Sequence, residues 1–220
     1  MKGIFVTGTD TDIGKTVVSA ALMAVSPEHV SYWKPVQSGS DDDTENVLDL
    51  AQVSRRRCLT QGYRLQLPAS PHHAAAAEGR EVALEPLMQR AKSCCASGSW
   101  IVEGAGGVLV PLSETLLMAD LIAALALPAL VVTSSHLGTI NHSLLTLESL
   151  RRRQIPVLGL VMMGAPDEGA TTGITSHTDT PFLGQMDWRP KGNRTQLREL
   201  GNRLIAHRSL RSALALEKVE

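Results

Sequence analysis

Gly8-Thr9-Asp10-Thr11-Asp12-Ile13-Gly14-Lys15-Thr16 puts a lysine and a hydroxyl directly behind a glycine-bounded turn, close to the start of the chain. That arrangement suits polyphosphate. The backbone N–H groups of such a turn converge on one point, and the dipole of a following helix adds partial positive charge there. Lys15 can then reach β- and γ-phosphates, and the Thr16 hydroxyl can ligate the Mg²⁺ that bridges them. Three later stretches carry the same kinds of group: Lys34-Pro35-Val36-Gln37-Ser38-Gly39 with Asp41-Asp42-Asp43 behind it, Glu103-Gly104-Ala105-Gly106-Gly107, and Leu137-Gly138-Thr139-Ile140-Asn141-His142. The set offers cations, hydroxyls and carboxylates but no nucleophile paired with a base. Such groups position reactants and neutralise charge.

Each group also has a plainer reading. Five residues separate Gly8 from Gly14, where the general pattern G-x-x-x-x-G-K-[ST] has four and would want glycine at Thr9. A surface turn with a helix-capping lysine is the alternative there, and the flanking strand and helix argue against it. Lys34 could be a solvated strand-end lysine. Among the three aspartates, placing Val47, Leu50 and Ala51 on the buried face of the next helix makes Asp43 its start and leaves Asp41 and Asp42 as solvated loop charge. The alternative for all three is a helix-capping acidic run. Glu103 ends an apolar strand, and a carboxylate there is costly to desolvate without a metal or a cation. Gly138 to Asn141 opens a helix, so it forms either a second anion site or an ordinary cap made by Thr139 or Asn141. His72, His73, His136 and His142 lack metal spacing with a third ligand; packing or surface roles suit them, with His72 near substrate.

Positioning these groups takes alternating strands and helices. Ile4 to Thr7 is a short β-branched run that reads as a buried strand, with a helix from Gly14 through about Val25. Val30 to Trp33 reads as extended, and Pro35 forbids helix at Lys34. Residues 36–40 read as a loop, Thr44 to about Val53 as a helix, and 54–73 mostly as loop. Ala74 to Glu78 and Leu84 to about Ala96 read as helices. Trp100 to Val102, Ala129 to Thr133 and Val157 to Met162 read as buried strands. Met118 to about Leu125 and Thr139 to Arg153 read as helices between them. Pro181 to Gly184 reads as a last short strand before a helix from about Thr195 to Leu214. Continuous apolar strands alternating with helices imply a three-layer α/β/α fold with a mostly parallel sheet. In such sheets ligands gather at the carboxyl ends of the strands, so the four stretches should converge on one cleft.

At 220 residues the chain fits one domain, residues 1–220, with a sizeable core. A net charge of −1 gives no electrostatic case for nucleic acid or an anionic membrane. The first strand begins within a few residues of Met1 and no apolar run reaches the ~20 residues of a membrane span, so a cytoplasmic protein is the expectation. Cys58, Cys94 and Cys95 are odd in number, two of them adjacent, which indicates free thiols rather than a disulfide framework or a zinc site.

Taken in order, the four stretches closely resemble the dethiobiotin synthetase family, ATP-dependent carboxylases of biotin synthesis. The likeness covers roughly residues 1 to 160, includes the five-residue spacing, and fades toward the C-terminus. It implies a fold of the P-loop NTPase kind. It further implies that CO₂ forms a carbamate on an amine of 7,8-diaminopelargonate and that ATP phosphorylates it. The second amine then closes the cyclic urea of dethiobiotin with release of phosphate. Carried onto this chain, the resemblance gives catalytic roles to Lys15, Lys34 and Thr11. Nucleotide contacts fall to Asp12, Ile13, Gly14, Lys15, Thr16, Val17, Asp43, Glu103, Gly104, Ala105, Gly106, Met163 and Gly164. Substrate contacts fall to Thr11, Lys34, Ser38, Gly106, Leu137, Gly138, Thr139, Ile140 and Asn141, and Mg²⁺ ligation to Thr16, Asp43 and Glu103. In the family the segment at Gly138 to Asn141 binds the substrate carboxylate across a dimer interface, so a homodimer is implied.

Two places depart from the family pattern. The strand ending at Met162 usually runs into an asparagine that recognises the base of ATP, whereas Met163-Gly164-Ala165-Pro166 follows here. A thioether cannot replace an amide's paired donor and acceptor, and a relaxed nucleotide preference is the expectation. The usual Gly-x-Ile-Pro appears as Gly184-Gln185-Met186-Asp187. Two rival readings fit less well. Amidotransferases that make cobyrinic acid diamide carry a glutaminase domain that a chain of this length is not expected to hold. Partitioning and division-site ATPases carry a second lysine early in the phosphate loop, and positions 9 to 13 contain none.

Overall fold

Gly3–Gly8, Ser99–Gly107 and Ala129–Ser134 are strands buried along nearly their whole length, and a strand that is apolar on both faces demands cover on both. The computed structural model describes residues 1–94, 98–188 and 194–216, with backbone only at Cys94. Within them the elements run β1 (Gly3–Gly8), α1 (Lys15–Val25), β2 (Val30–Trp33), β3 (Val36–Ser38), α2 (Asp43–Ala51), β4 (Cys58–Leu59) and β5 (Tyr63–Leu65). There follow α3 (Pro71–Ala77), α4 (Leu84–Cys94), β6 (Ser99–Gly107), α5 (Met118–Leu125), β7 (Ala129–Ser134), α6 (Thr139–Arg152) and β8 (Val157–Met163). The last are α7 (Glu168–Thr175), β9 (Phe182–Met186), α8 (Arg194–Ala206) and α9 (Arg208–Ala213).

The main sheet has seven strands in the order β4-β2-β6-β1-β7-β8-β9, every described pair parallel. On one face Ile4, Val6, Tyr32 and Ile101 pack under Val18 and Leu22 of α1 and Leu197 and Leu204 of α8. On the other, Phe5, Trp33 and Val102 pack under Leu87 of α4, Leu121 of α5 and Leu150 of α6. Each fully buried side chain of this size contributes about 1.5–3 kcal/mol, so the two layers clamp the strand ends firmly. Register then sets the site: Val6 is level with Glu103 and Trp33 with Val102, which brings the ends of β1, β2 and β6 together.

Two glycines are required by this packing. Gly14 caps α1 at φ 96, a left-handed conformation that lets the turn fold over the helix start. At Gly201 a Cβ would lie 2.1 Å from the Ala21 carbonyl oxygen, so its absence lets α8 lie directly against α1.

Several sequence expectations need correction. Residues 36–38 are not loop: β3 pairs in parallel with β5 as a separate two-stranded sheet. Residues 54–73 hold a 3₁₀ turn at Arg55–Arg57, strands β4 and β5 and the start of α3. Arg57 of that basic run is buried, donating to the carbonyl oxygens of Val30, Ser26 and Pro27 at 2.9, 3.1 and 3.0 Å. Asp42 is no solvated loop charge: it caps α2, accepting from the Thr44 and Glu45 N–H groups. Helix α7 was not foreseen, and the C-terminal helix is two, broken at His207. Cys95 and the expected helix end near Ala96 lie outside the described residues.

Candidate functional site

At the carboxyl ends of β1, β2 and β6 an open cleft of about 470 Å³ is lined by Thr11, Asp12, Gly14, Lys15, Thr16, Lys34, Ser38, Asp43, Glu103, Ala105 and Gly106, among others. Three of the four chemical stretches therefore converge, as the parallel sheet requires. At the centre stands Lys34, buried, with its Nζ 2.6 Å from Asp43 Oδ2 and 2.9 Å from Glu103 Oε1. The same ammonium donates to the Gly104 carbonyl oxygen at 3.1 Å. The Thr16 hydroxyl donates to Glu103 Oε1 at 2.9 Å. Lys15 Nζ donates to the Asp10 carbonyl oxygen at 2.6 Å, folded along its own loop.

Two cations thus face two carboxylates, and the ionisation states follow. Burial pushes the Lys15 pKa down to about 8, and the Lys34 charge pushes it the same way, against the pull of Glu103 and Asp43. For Lys34 burial acts downward too, but Glu103 and Asp43 outweigh it and hold the ammonium above its ordinary value. Burial would raise Asp43, yet the Lys34 ammonium and its hydrogen bond hold the Asp43 carboxyl below the usual carboxylate range. Lys34 remains charged at neutral pH. Lys15 is the cation most sensitive to an arriving phosphate, whose charge would stabilise its protonated form.

The donors also suit Mg²⁺. Thr16 Oγ1, Asp43 and Glu103 Oε1 present only oxygen, the preference of a hard cation. Asp43 and Glu103 already stabilise an ammonium between them, and the Thr16 hydroxyl lies beside Glu103. Three protein oxygens leave room for phosphate oxygens and water to complete six-coordination, the usual way such sites bind Mg²⁺.

The remaining expected residues are dispersed. Ile13 folds back over Gly8, and Val17 is half-buried on the α1 side of the core. Met163 is buried against Gly14, where a Cβ would lie 2.9 Å from its Cγ, and Gly164 sits against Ser135. The fourth stretch does not line the cleft. Leu137 is fully exposed, Ile140 and Asn141 are exposed, and the Thr139 hydroxyl turns inward to Thr133 at 2.7 Å. Neither Thr139 nor Asn141 caps α6: Gly138 occupies that position and no side chain satisfies the helix start. His72 meets Ser70 Oγ through Nδ1 at 3.1 Å, just behind the wall that Ser70 and Pro71 form.

Sequence reasoning missed three contributors. Tyr32, fully buried, donates its hydroxyl to Glu103 Oε2 at 3.0 Å. Burial and the Glu103 charge hold that phenol well above its ordinary pKa. Its signal was its place two residues before Lys34 on a strand, hence on the same face. Gln37 is buried and accepts from the Asp43 N–H at 3.3 Å, fixing the start of α2. Residues Pro68 to Pro71 wall the cleft, and nothing in their composition points to it.

An ATP-dependent dethiobiotin synthetase from Brucella ovis is 45% identical over 185 residues, covering 83% of this chain and 84% of the relative. The chain belongs to the dethiobiotin synthetase family. Another dethiobiotin synthetase, from Rhizorhabdus wittichii, is 44% identical over 187 residues, 84% of this chain and 87% of its own. A family model described as an AAA domain matches residues 2–196. This dethiobiotin synthetase fold is shared with a MinC:MinD cell division complex from Aquifex aeolicus at TM-score 0.59 and 14% identity, covering 100% of this chain and 98% of the other. A ParA family ATPase from Chlorobium tepidum matches at TM-score 0.54 and 10% identity over 98% and 95% of the two chains. At such identities the likeness concerns the three-layer architecture alone. Among the described residues, no helix is long and apolar enough to cross a membrane.

Proposed function

We propose that this protein makes dethiobiotin from 7,8-diaminopelargonate, CO₂ and ATP, giving ADP and phosphate. The observation that carries the reading is the cluster of Lys15, Thr16, Lys34, Asp43 and Glu103 at one cleft, in a chain 45% identical to synthetases of that name. One substrate amine attacks CO₂ and loses a proton, giving a carbamate. A carbamate oxygen attacks the γ-phosphorus and ADP leaves. The second amine then attacks the carbonyl carbon of this mixed anhydride, and phosphate leaves as the ring closes.

The residues act by position and charge. The N–H groups of the turn from Thr11 to Thr16 and the dipole of α1 hold the phosphates. Lys15 neutralises the transferring phosphoryl group, and Lys34 holds carbamate and γ-phosphate together, its ammonium fixed by Asp43 and Glu103. Thr11, Ser38 and Gly106 line the space where the diamine fits. Thr16, Asp43 and Glu103 would hold Mg²⁺, which would supply neutralisation of phosphate charge. No side chain of this set forms a covalent bond to substrate.

The fourth stretch belongs to this reading through a second copy of the chain. Leu137, Ile140 and Leu145 are exposed apolar residues along the start of α6, beside helix N–H groups that no side chain caps. A homodimer burying that stripe brings the α6 start to the partner's cleft, where it can hold the substrate carboxylate. Sedimentation at only the 23.6 kDa of a single chain contradicts the dimer. The reaction itself is tested by phosphate release from MgATP with bicarbonate, with and without diaminopelargonate. Release that requires the diamine supports it, and slow hydrolysis indifferent to the diamine refutes it.

A further inference from the structure

Glu103 divides its two oxygens between different tasks. Oε1 serves the cleft, accepting from Lys34 and Thr16 at 2.9 Å each. Oε2 accepts from the Tyr32 hydroxyl at 3.0 Å, between two side chains with no exposure to solvent. Tyr32 is not among the residues that wall the cleft, so it does not reach the nucleotide or the diamine. We propose that Tyr32 is a positioning residue that fixes the orientation of the Glu103 carboxylate and thereby sets the affinity of the site for Mg²⁺. This rests on the reading of Thr16, Asp43 and Glu103 as the Mg²⁺ ligands.

A carboxylate's terminal torsion is broad and roughly two-fold, so packing alone does not choose its plane. A hydrogen bond to one oxygen does choose it, because the other oxygen then has one direction left. Tyr32 can supply that constraint since it is itself immobilised. It lies on β2, level with Ile101 of β6, two residues before Glu103 and on the same face. Without the hydroxyl, Oε2 becomes a fully buried charged oxygen lacking a partner. The carboxylate then turns toward other donors, and Oε1 leaves the position shared with Thr16 and Asp43. Outer hydrogen bonds of this kind are worth roughly 10–100-fold in metal affinity.

The test uses Tyr32→Phe, which removes the hydroxyl and keeps the ring. Mn²⁺ is titrated into the protein without nucleotide, free Mn²⁺ being read by electron paramagnetic resonance, and ADP binding is measured separately in EDTA. The expected result is Mn²⁺ affinity weakened about 10–100-fold with ADP affinity in EDTA unchanged. Equal weakening of Mn²⁺ and metal-free ADP binding would mean Tyr32 only supports the fold, and overturns the proposal. Glu103→Gln, measured alongside, separates the two levels. If it weakens Mn²⁺ while Tyr32→Phe does not, the role of Tyr32 alone is overturned. If it leaves Mn²⁺ binding intact, the Mg²⁺ reading falls and the proposal with it.

Should Tyr32→Phe fail to fold, the unmutated side chain can be read directly. The chain has two tyrosines, so 3-fluorotyrosine labelling gives two ¹⁹F resonances, assigned by Tyr63→Phe. The Tyr32 resonance is expected to shift when Mg²⁺ is added. An unmoved Tyr32 resonance at saturating metal overturns the proposal.

Discussion

Replacing Lys34 by methionine keeps an unbranched side chain, one atom shorter, and removes its charge. Lys34 Nζ lies within 2.9 Å of two carboxylates and is 4% exposed, while Glu103 has no exposure and Asp43 is 21% exposed. Removing one partner of a buried ion pair costs about 3–5 kcal/mol, because the other charge stays buried without compensation. The partial exposure of Asp43, and the nearby Lys15 charge, put the expected cost at the lower end, about 3 kcal/mol. For a chain of this size that corresponds to a Tm lower by roughly 6–12 °C. The assay is thermal denaturation of Lys34→Met and the unaltered protein in EDTA, repeated with Mg²⁺. In EDTA the variant should melt earlier by that amount. With Mg²⁺ it should recover more than the unaltered protein does, since a dication takes over the task of the missing ammonium. Turnover should fall by about 10²–10³, the usual loss when a preorganised charge donor is removed. Equal melting temperatures in EDTA, or turnover within tenfold, would refute the reasoning.

Other consequences are simpler to state. Asp43, held below the usual carboxylate range by Lys34, contributes stability that is complete above its ordinary pKa of 3.8 and is lost as pH falls through its lower folded value. In Asp43→Asn, denaturant melts at pH below the ordinary carboxylate pKa of 3.8 should therefore show a flatter pH dependence, and an unchanged slope contradicts the ion pair. Gly201→Ala drives a methyl group onto the Ala21 carbonyl oxygen and should destabilise by about 1–3 kcal/mol, read as a shift in denaturant midpoint at constant slope. Met163 is buried against Gly14 and carries no amide, so CTP and GTP should support product formation within about tenfold of ATP. A preference for ATP of a hundredfold or more, in the same assay, refutes that expectation.

The layered sheet was legible because its strands are continuous apolar runs. Ile4 to Thr7, Ala129 to Thr133 and Val157 to Met162 each fall within an observed strand. The phosphate loop was legible for a related reason, since glycine, lysine and threonine at a strand-to-helix turn have a physical purpose that does not depend on distant contacts. Short strands were not legible: β3 and β5 span three residues each, too few for any periodicity to register. Asp42 could not be told from Asp43 as cap or ligand, because the difference of one residue depends on where α2 starts, and Gln37 fixes that from outside the helix. Tyr32 escaped notice because a buried tyrosine on an apolar strand looks like core until its hydroxyl's partner is known. The fourth stretch was expected in the cleft because the strand-end rule treats every loop after a strand of one sheet alike, whereas here Leu137 and Ile140 are exposed and do not line it.

The claim on which the account depends is that a carbamate oxygen is phosphorylated and leaves as phosphate. The most direct measurement is a single turnover with ¹⁸O-labelled CO₂, diaminopelargonate and MgATP, analysed by mass spectrometry before the label exchanges with water. The account predicts dethiobiotin formed in step with ADP, and one ¹⁸O carried from CO₂ into the released phosphate. Dethiobiotin with unlabelled phosphate would contradict the carbamate route, and phosphate without dethiobiotin would contradict the reaction itself.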